Sequence, residues 1–500
     1  MLFDFHKNQF TETSQLSNNP FIVGTDCTLS EKEVYELHQK IKDLIINLEI
    51  PAGHPVCIYG EKEALFPVVM ITLMSLNIPY IPIDAIMPMG RIKNIQEQTQ
   101  SKVLINCSSK TCEILFDIQI LKDLSVIKNN ASSDFSILKN NNDPIRYILF
   151  TSGSTGVPKG VQITASALNN FIEWYVTWPG INKKTVFMNQ APFSFDVSLC
   201  DFIGAFAYGS KVVLNDYAIL KSGNLFLERL KQNEATTIVC TPAFIKMYIS
   251  MPEFSEQNYP HLQQFIFMGE ELPASSVKKV KQLFPHSKVI NAFGPTEATI
   301  VVTYIEITDD ILKEHAKSLP IGYCKPNSEI IILNKDAETG IGELGLIGTN
   351  LSIGYFNDEE KTQQAFINHD GKRIYKTGDV GYIKNDLIFY LGRNDNQVKL
   401  NGYRIELEEV SNKLLTHPEV KNATVIPLTS GGTTKKIISF VSISSALEAQ
   451  DYNAILKSYL LLDLPTYMIP SEFISLQEFP LNSNYKTDKK ALLELYMNRN

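Results

Sequence analysis

The chain lacks several features that mark common protein classes. It has no uncharged apolar run of about eighteen residues that could cross a membrane, and its N-terminus lacks the basic and apolar segments of a secretion signal. Its 46 Lys and Arg against 54 Asp and Glu give a net charge of −8, and no basic cluster with interleaved aromatics suits a nucleic-acid surface. We therefore predict a cytoplasmic protein that binds neither a membrane nor nucleic acid.

Cysteine and histidine are scarce and scattered. Seven cysteines, an odd number without a Cys-x-x-Cys spacing, indicate neither a disulfide framework nor a zinc site, and the eight histidines form no metal-ligand pattern. We interpret the cysteines as reduced thiols in the core. They are Cys27, Cys57, Cys107, Cys112, Cys200, Cys240 and Cys324.

Strand and helix patterns alternate along the first three hundred or so of the 500 residues, which predicts parallel sheets covered by helices. The strand patterns are Val56–Tyr59, Val103–Ile105, Tyr147–Phe150, Val212–Leu214, Thr237–Val239, Phe265–Met268 and Val289–Asn291, and helical patterns include Ala165–Val176 and Ser275–Leu283. Shorter segments with Gly turns follow and predict a barrel-like or antiparallel part. A composition shift near residue 396 predicts a further domain, since chains of this length split into several cores.

A loop rich in Gly, Ser and Thr directly follows the apolar run that ends at Phe150, an arrangement that suits a phosphate. Hydroxyls, glycines whose backbone N–H groups can approach an anion, and one cation lie within ten residues. The loop is not a Walker A motif, because Pro158 stands five residues after Gly153 and Lys159 precedes Gly160. Its phosphate-ligand candidates are Thr151, Ser152, Gly153, Ser154, Thr155, Gly156 and Lys159.

This loop resembles the phosphate-binding signature of the adenylate-forming enzymes, which include acyl-CoA synthetases, luciferases and peptide-synthetase adenylation domains. Further motifs of that superfamily occur along the chain in the order that the family has. One residue departs from the family pattern, since Tyr485 stands where the family commonly has Gly. The matching segments are Pro79–Asp84 with Arg91, Asn189–Asp196, Asn291–Glu297, Gly342–Tyr355, Tyr375–Asp379, Gly392–Asp395 with Lys399–Glu406, and Asn484–Lys486.

The resemblance implies an α/β fold: a large N-terminal domain of two helix-covered, mostly parallel sheets with a small barrel-like β part, then a mobile small α+β C-terminal domain. It places the adenylation core domain in residues 1–395 and the C-terminal domain, which carries the catalytic lysine, in residues 396–500. The small domain would rotate about the hinge Asp395 between two half-reactions.

The resemblance also implies that the protein uses ATP and Mg²⁺. It assigns catalytic roles to Lys486, Thr296 and Glu297, with Glu297 holding the metal and Lys486 bridging the substrate carboxylate and the α-phosphate. Besides the loop residues listed above, the implied ATP-binding residues are Asn291, Ala292, Phe293, Gly294, Pro295, Thr296, Asp379, Tyr390, Arg393 and Lys486.

Asp196 indicates the substrate class. In the family's amino-acid-activating members, the aspartate at this position binds the α-ammonium group of the substrate; the alternative for an isolated Ser-Phe-Asp sequence is a helix cap. The side-chain specificity positions of the family are all apolar here, so we expect a substrate with a small neutral side chain. They are Val197, Cys200, Val239, Ile266, Met268, Ala292, Ile300 and Val301. The implied substrate-binding residues are Asp196, Val197, Cys200, Val239, Ile266, Met268, Ala292, Ile300, Val301 and Lys486.

Several stretches resemble the branch of the family that ligates D-alanine to a carrier protein, for example 317–325 and 399–409. That branch is expected to carry a cysteine where this chain has Met268. No carrier domain is found in the chain, so the expected acceptor is a separate carrier protein with a phosphopantetheine arm. The alternatives are another small amino acid (L-alanine, glycine, serine or proline), an acyl-CoA synthetase, which Asp196 argues against, and a non-catalytic relative, although Lys486, Glu297 and Asp379 are all present.

Overall fold

The computed structural model describes residues 2–11, 13–114, 116–129, 135–138, 143–153, 157–430, 433–480 and 487–499. Among these residues, no helix is both long and apolar enough to cross a membrane. All seven cysteines are free thiols. Most are buried as predicted, but Cys27 is exposed and Cys324 is half-buried, so for these two the prediction of core thiols was wrong.

The first part of the chain forms short strands, one long helix and two shorter ones. The long helix begins with a capping box, in which Ser30 Oγ accepts from Glu33 N and a Glu33 carboxylate oxygen accepts from Ser30 N. The elements are β1 Phe3–Asp4, β2 Gln9–Phe10, β3 Pro20–Val23, β4 Thr28–Ser30, α1 Glu31–Asn47, β5 Val56–Gly60, α2 Leu65–Ser75, β6 Tyr80–Asp84, α3 Met89–Thr99, β7 Val103–Asn106, β8 Ile118–Ile120 and β9 Val126–Lys128.

Strands and helices then alternate regularly. The elements are β10 Ile145–Thr151, β11 Lys159–Thr164, α4 Ala165–Tyr175, β12 Val186–Asn189, α5 Val197–Tyr208, β13 Lys211–Leu214, α6 Tyr217–Lys221, α7 Gly223–Gln232, β14 Thr237–Cys240, α8 Pro242–Tyr248, β15 Gln264–Phe267, α9 Ala274–Leu283, β16 Lys288–Phe293 and β17 Thr303–Glu306, with a 3₁₀ helix at Thr296–Ala298. The predicted strands and helices of this region are confirmed to within a few residues at each end.

Strands dominate the next segment, and a mixture of helices and strands ends the chain. The former contains α10 Asp309–Glu314, β18 Pro320–Cys324, β19 Ser328–Leu333, β20 Gly342–Gly348, β21 Gly354–Tyr355, α11 Glu359–Ala365, β22 Phe366–His369, β23 Lys372–Lys384 and β24 Leu387–Arg393. The latter contains β25 Gln397–Leu400, β26 Tyr403–Glu406, α12 Leu407–Leu415, β27 Val420–Ser430, β28 Thr433–Ile443, α13 Ser445–Glu448, α14 Tyr452–Leu460, β29 Phe473–Ser475 and α15 Lys489–Arg499.

Two sheets carry the large part of the fold. The first sheet has the order β21-β11-β10-β6-β5-β7-β8-β9, and the pairs from β10 to β8 are parallel. The second sheet has the order β19-β20-β23-β24-β18-β17-β16-β15-β14-β12-β13-β3-β4, and its pairs from β16 to β3 are parallel. Buried apolar side chains of both sheets share one hydrophobic core. The α/β prediction is confirmed.

The antiparallel part predicted after residue 300 is present, and strand pairing joins it to the second sheet. Antiparallel pairs run from β16 through β17 and β18 to β24, and β19, β20 and β23 also pair antiparallel. The segment 288–306 contains β16, the last strand of the parallel part, and β17, which pairs antiparallel with it. The predicted motif Asn291–Glu297 therefore lies where the parallel part of the sheet meets the antiparallel part.

The chain divides into two compact units. The large unit consists of Met1–Ala85, Gln96–Phe150 and Gly160–Gly392, and the small unit of Ile86–Ile95, Thr151–Lys159 and Arg393–Asn500. In the small unit, α12 and α14 pack against the sheet of β27, β28 and β29 around their own hydrophobic core. Two short segments from earlier in the chain thus belong to the small unit together with its C-terminal part.

Candidate active site

Asp196 stands at the N-terminus of α5, in the turn that follows β12. Its side chain makes no capping hydrogen bond to its own helix, so the helix-cap interpretation does not account for it. The residue is half-buried. Burial raises the pKa of the nearby Cys200 thiol well above its usual value, and the charges of Asp201 and Asp196 add to this rise. The carboxylate therefore acts electrostatically on one of the predicted pocket residues.

The predicted specificity residues lie in one hydrophobic core, which includes the ends of the parallel strands β14, β15 and β16 and residues of α5. Val239 pairs with Ile266 across β14 and β15, and the Cys200 thiol lies 3.9 Å from the Met268 sulfur. Val197 packs at the edge of this core, and the remaining members are buried: Cys200, Val239, Ile266, Met268, Ala292, Ile300 and Val301. The sequence prediction thus brings together side chains that are clustered in the fold.

The turn after β16 is backbone-strained. Thr299 and Ile300 are consecutive β-branched residues with φ of 57° and 73°, a left-handed conformation that such residues rarely adopt. Gly294 permits the close approach of this turn, because a Cβ there would lie 2.4 Å from the Val301 Cα. Val302 N closes the turn by donating to Phe293 O at 2.7 Å. Strain at this position is consistent with a functional role for the 291–297 motif.

Glu297 is fully buried in the 3₁₀ helix Thr296–Ala298. Tyr355 Oη donates to its Oε1 at 2.9 Å, and Ser352 N donates to its backbone carbonyl at 2.8 Å. Within the described part of the chain, no group of three His, Cys, Asp or Glu side chains could hold a metal. A single carboxylate nevertheless suits Mg²⁺, which commonly binds one or two carboxylates together with substrate phosphates and water.

Several other ATP-binding candidates of the large unit lie on strands β16, β23 and β24 of the second sheet. The rings of Phe293 and Tyr390 have centroids 6.3 Å apart. Asp379 is buried in β23, where its N–H donates to Thr377 Oγ1 at 2.9 Å, and Gly378 N donates to the Glu343 carboxylate at 2.9 Å. The Gly378 φ of 73° explains the glycine of this motif. Asn291 donates from its side chain to Pro320 O at 2.8 Å, so this side chain also holds β16 to β18.

The phosphate-loop candidates belong to the small unit. Ser152 Oγ donates to Arg404 O at 2.9 Å, and Gly153 N donates to Glu409 Oε2 at 3.0 Å. The other oxygen of Glu409 accepts from Arg91 Nη1 at 2.9 Å in a buried ion pair. Thr151 ends β10 and Lys159 begins β11. Ser154, Thr155, Gly156 and the predicted catalytic Lys486 lie outside the described residues.

Arg393 and Asp395, predicted to bind ATP and to act as the hinge, form a bidentate ion pair. Arg393 Nε lies 2.8 Å from Asp395 Oδ1 and Nη2 lies 2.5 Å from Oδ2. Gln397 N also donates to Asp395 at 3.1 Å. The boundary between the two units falls directly before Arg393. The preceding Gly392 has a φ of 134°, and a Cβ added there would meet no atom within 4 Å.

The sequence interpretation gave no role to several polar residues of the site. Tyr355 was only the last residue of a motif, although its hydroxyl holds the Glu297 carboxylate. Lys62 and Asp201 are buried charged residues that contact the 189–196 segment or its Asn189. The sequence does contain a signal for Lys62, because the charged residues Glu61 and Lys62 directly follow the apolar run of β5. A lysine next to a buried strand needs a partner if it is itself buried.

Comparison with known proteins agrees with this arrangement. The sequence profile described as "AMP-binding enzyme" matches residues 10–356. The chain belongs to the AMP-binding enzyme family. The predictions of the family and of an AMP-forming ligase are thereby confirmed.

Two relatives in this family are bacterial proteins named "D-alanine--D-alanyl carrier protein ligase". The protein from Bacillus licheniformis is 34% identical over 486 residues, covering 94% of this chain and 95% of that protein. The one from Bacillus cereus is 33% identical over 483 residues, with the same shares of the two chains. The similarity thus extends over nearly the full length of both proteins.

Solved structures share the fold of this chain. The adenylation domain AlmE of Vibrio cholerae, in complex with glycyl-adenosine-5'-phosphate, superposes with a TM-score of 0.79 at 22% identity, covering 97% of this chain and 96% of that one. The amide bond synthetase McbA of Marinactinospora thermotolerans gives a TM-score of 0.84 at 16% identity, covering 98% and 99%. At these identities the comparison supports the architecture.

Proposed function

We propose that the protein activates a small neutral amino acid, with D-alanine as the first choice, by reaction with ATP. The substrate carboxylate attacks the α-phosphorus of ATP, pyrophosphate leaves, and an aminoacyl-AMP is formed. The thiol of the phosphopantetheine arm of a separate carrier protein then attacks the acyl carbon, AMP leaves, and an aminoacyl thioester results. The names of the two Bacillus relatives support both the amino acid and the carrier. The need for ATP is consistent with a cytoplasmic location.

The observation that carries this proposal is the combination of Asp196 with an apolar pocket. A carboxylate at the edge of a hydrophobic core attracts a cation more strongly than one in water, because its apolar surroundings screen the charge less. The α-ammonium group of an amino acid is such a cation, whereas a fatty acid offers none. The buried Cys200 and Met268 fill the neighbouring space with two sulfur-containing side chains, so the pocket suits a short, uncharged side chain.

For ATP we propose the roles that the family resemblance assigns. Phe293 and Tyr390 would contact the adenine ring and Asp379 the ribose hydroxyls. Thr296 and the 151–159 loop would hold phosphates, with Arg393 near the ribose and phosphates. Glu297, positioned by Tyr355, would hold Mg²⁺, which supplies positive charge to the phosphates when it is bound. Lys486 would contact the substrate carboxylate and the α-phosphate.

Amino-acid-dependent ATP–pyrophosphate exchange tests the first half-reaction. D-alanine, L-alanine, glycine, serine and proline are compared with a short fatty acid at equal concentration, and we expect the highest kcat/KM for D-alanine. A chain that responds to fatty acids and to no amino acid contradicts the proposal. A chain that ignores both alanines and prefers another amino acid keeps the reaction class and loses only the D-alanine assignment.

Shortening the Met268 side chain next to Cys200 should change the amino-acid specificity, and a compensating substitution at Cys200 should partly reverse that change. Met268→Cys shortens a side chain of the pocket and should alter the ratio of kcat/KM for D- and L-alanine or admit larger side chains, because a misplaced methyl group costs about 1–3 kcal/mol in an apolar pocket. Exchange kinetics of the parent and the variant with the five amino acids measure the effect.

The matched control exchanges the two side chains. The double variant Cys200→Met, Met268→Cys keeps the pair's total volume, and we expect it to recover part of the parent specificity, as volume-conserving swaps usually cost less than about 1.5 kcal/mol. An unchanged D- to L-alanine ratio together with an unchanged range of accepted amino acids in the single variant would show that Met268 does not contact the substrate.

Asp395→Pro is expected to separate the two half-reactions. We propose that residues 396–500 form a domain that rotates about Asp395, and proline would fix φ near −65° there. Exchange should then persist while thioester formation on the carrier falls. Because the substitution also removes the Arg393 ion pair, Asp395→Ala serves as the control that lacks the pair but leaves φ free. Equal thioester formation by the two variants would exclude Asp395 as the pivot.

A further inference from the structure

Lys62 is a buried lysine in the large unit that none of the assigned roles uses. It follows β5 of the first sheet and is 2% exposed. Its ammonium group donates to Asn189 Oδ1 and to Ala191 O, and lies 4.2 Å from the centroid of the Phe193 ring, which stacks on Phe66. These three contacts of the ammonium group therefore fall within the segment that leads to Asp196.

Asp201 continues the same network on the other side of that segment. It lies in the second turn of α5 with no exposed surface, and Asn189 Nδ2 donates to its Oδ2 at 2.8 Å. Burial raises the pKa of Asp201 to about 7, against the opposing effects of Asn189 and Lys62. Burial lowers the pKa of Lys62 to about 8. Both groups are thus kept in the core at a cost that their hydrogen bonds to the Asn189 side chain help to offset.

The end of β12 is fixed from a further side. Asn215 Nδ2 donates to Asn189 O at 2.8 Å, and Asn215 Oδ1 accepts from Arg229 Nε at 2.9 Å. The side chain of Asn189 therefore joins Lys62 to Asp201 while its backbone is held in place. The chain leaves this point at Asn189, passes through the turn with Asp196, and returns to it at Asp201.

We propose that Lys62, Asn189 and Asp201 are positioning residues that close the 189–201 segment and thereby hold Asp196 in the orientation that binds the substrate ammonium group. The inference rests on the proposed amino-acid-binding role of Asp196. None of the three residues contacts the substrate in this proposal. Their effect on catalysis passes through the backbone of the turn.

The test begins with Lys62→Met, which keeps an unbranched apolar stem and removes the donors. We expect the KM for the amino acid to rise about tenfold or more, the scale for leaving buried polar groups unpaired, while the KM for ATP and kcat change little. A merely structural role predicts a lower melting temperature with no selective change in the amino-acid KM. That result, or equal changes in both KM values, would overturn the proposal.

Lys325→Met is the matched control. Lys325 is also 2% exposed in the large unit, burial also lowers its pKa to about 8, and its ammonium group also donates to an asparagine side chain, that of Asn170. It lies outside the 189–201 segment. This variant should lose stability to a similar degree without a selective change in the amino-acid KM. A selective change there as well would contradict a specific role for Lys62.

A swap of amide and carboxylate covers the case in which Lys62→Met does not fold. Asn189→Asp places a carboxylate opposite Asp201 and loses the donor between them, so the amino-acid KM should rise. Adding Asp201→Asn leaves the acceptor for Lys62 at position 189 in place and supplies an amide donor from position 201 to the new carboxylate, so the KM should return toward the parent value. Failure of the second change to rescue the first would show that the hydrogen-bonded link does not position the segment.

Hydrogen–deuterium exchange separates this proposal from the proposed function. Amides in 190–200 should exchange faster in Lys62→Met or in Asn189→Asp than in the parent, while the distant strands of the first sheet keep their protection. This measurement needs no substrate. If the parent showed no amino-acid-dependent activity, the proposed function would fail, and unchanged exchange in 190–200 would still decide against positioning.

Discussion

Asp196→Asn is expected to lower kcat/KM for the amino acid by roughly 10²-fold or more while ATP binding stays near that of the parent. The substitution keeps the shape and polarity of the side chain and removes only the counter-charge for the ammonium group. Removing one partner of a buried ion pair costs about 3–5 kcal/mol, and half-burial of Asp196 places the effect at the lower end of that range. Exchange kinetics and nucleotide affinity are measured separately.

Asp358→Asn is the matched control for this experiment. Asp358 also stands at a helix N-terminus of the large unit, but its side chain caps that helix by accepting from Lys361 N. Asparagine caps helices about as well as aspartate, so this variant should retain amino-acid activation. Unchanged exchange in Asp196→Asn would refute the anchor role, and parallel losses in both variants would point to folding rather than to substrate binding.

The parallel part of the fold could be predicted because its strands carry a continuous signal. Runs such as Val56–Gly60 and Thr237–Cys240 are mostly apolar and buried along their whole length, and a helix follows each of them. What the sequence could not supply was the pairing of distant segments. Nothing local to β11 indicates that Val161 pairs with Tyr355 at the edge of the first sheet.

The candidate site shows the same limit. Motif order located the candidate acid, the candidate pocket residues and the strands proposed to bind the nucleotide, because each motif is a local pattern. The partners that hold these motifs are single polar residues from other parts of the chain, such as Tyr355 for Glu297 and Lys62 for Asn189. Neither the motif that ends at Tyr355 nor the Glu61-Lys62 pair indicates which distant residue it contacts, because those contacts depend on tertiary packing that a sequence does not display.

Composition alone could not predict which segments make up the small unit. The shift in charge near residue 396 agrees with a unit that includes Arg393–Asn500, but the segments Ile86–Ile95 and Thr151–Lys159 join the same unit. The cause is visible in their contacts: Arg91 and the Gly153 N–H both bind the Glu409 carboxylate. Long-range ion pairs of this kind have no counterpart in local composition, and the proposed boundary at 395 stays a prediction.

Lys486→Ala is expected to slow aminoacyl-AMP formation by roughly 10²–10³-fold, the scale for removing one preorganised donor to a transition state. The substrate carboxylate and the α-phosphate are both anionic, so their approach requires a cation that neither Asp196 nor the apolar pocket provides. The assignment rests on the motif Asn484-Tyr485-Lys486. Transfer of a preformed aminoacyl-AMP to the carrier protein should be retained, because in the proposed rotation a different face of the small domain serves the second step.

The two half-reactions are therefore measured apart, by pyrophosphate exchange for the first and by thioester formation from synthetic aminoacyl-AMP for the second. Lys490→Ala is the control, since this exposed lysine lies in the adjacent helix α15 and its backbone N–H, which bonds to Asp488, is kept. We expect it to behave like the parent in both assays. Equal losses of both steps in Lys486→Ala would contradict the rotation, because one face of the small domain would then serve both reactions.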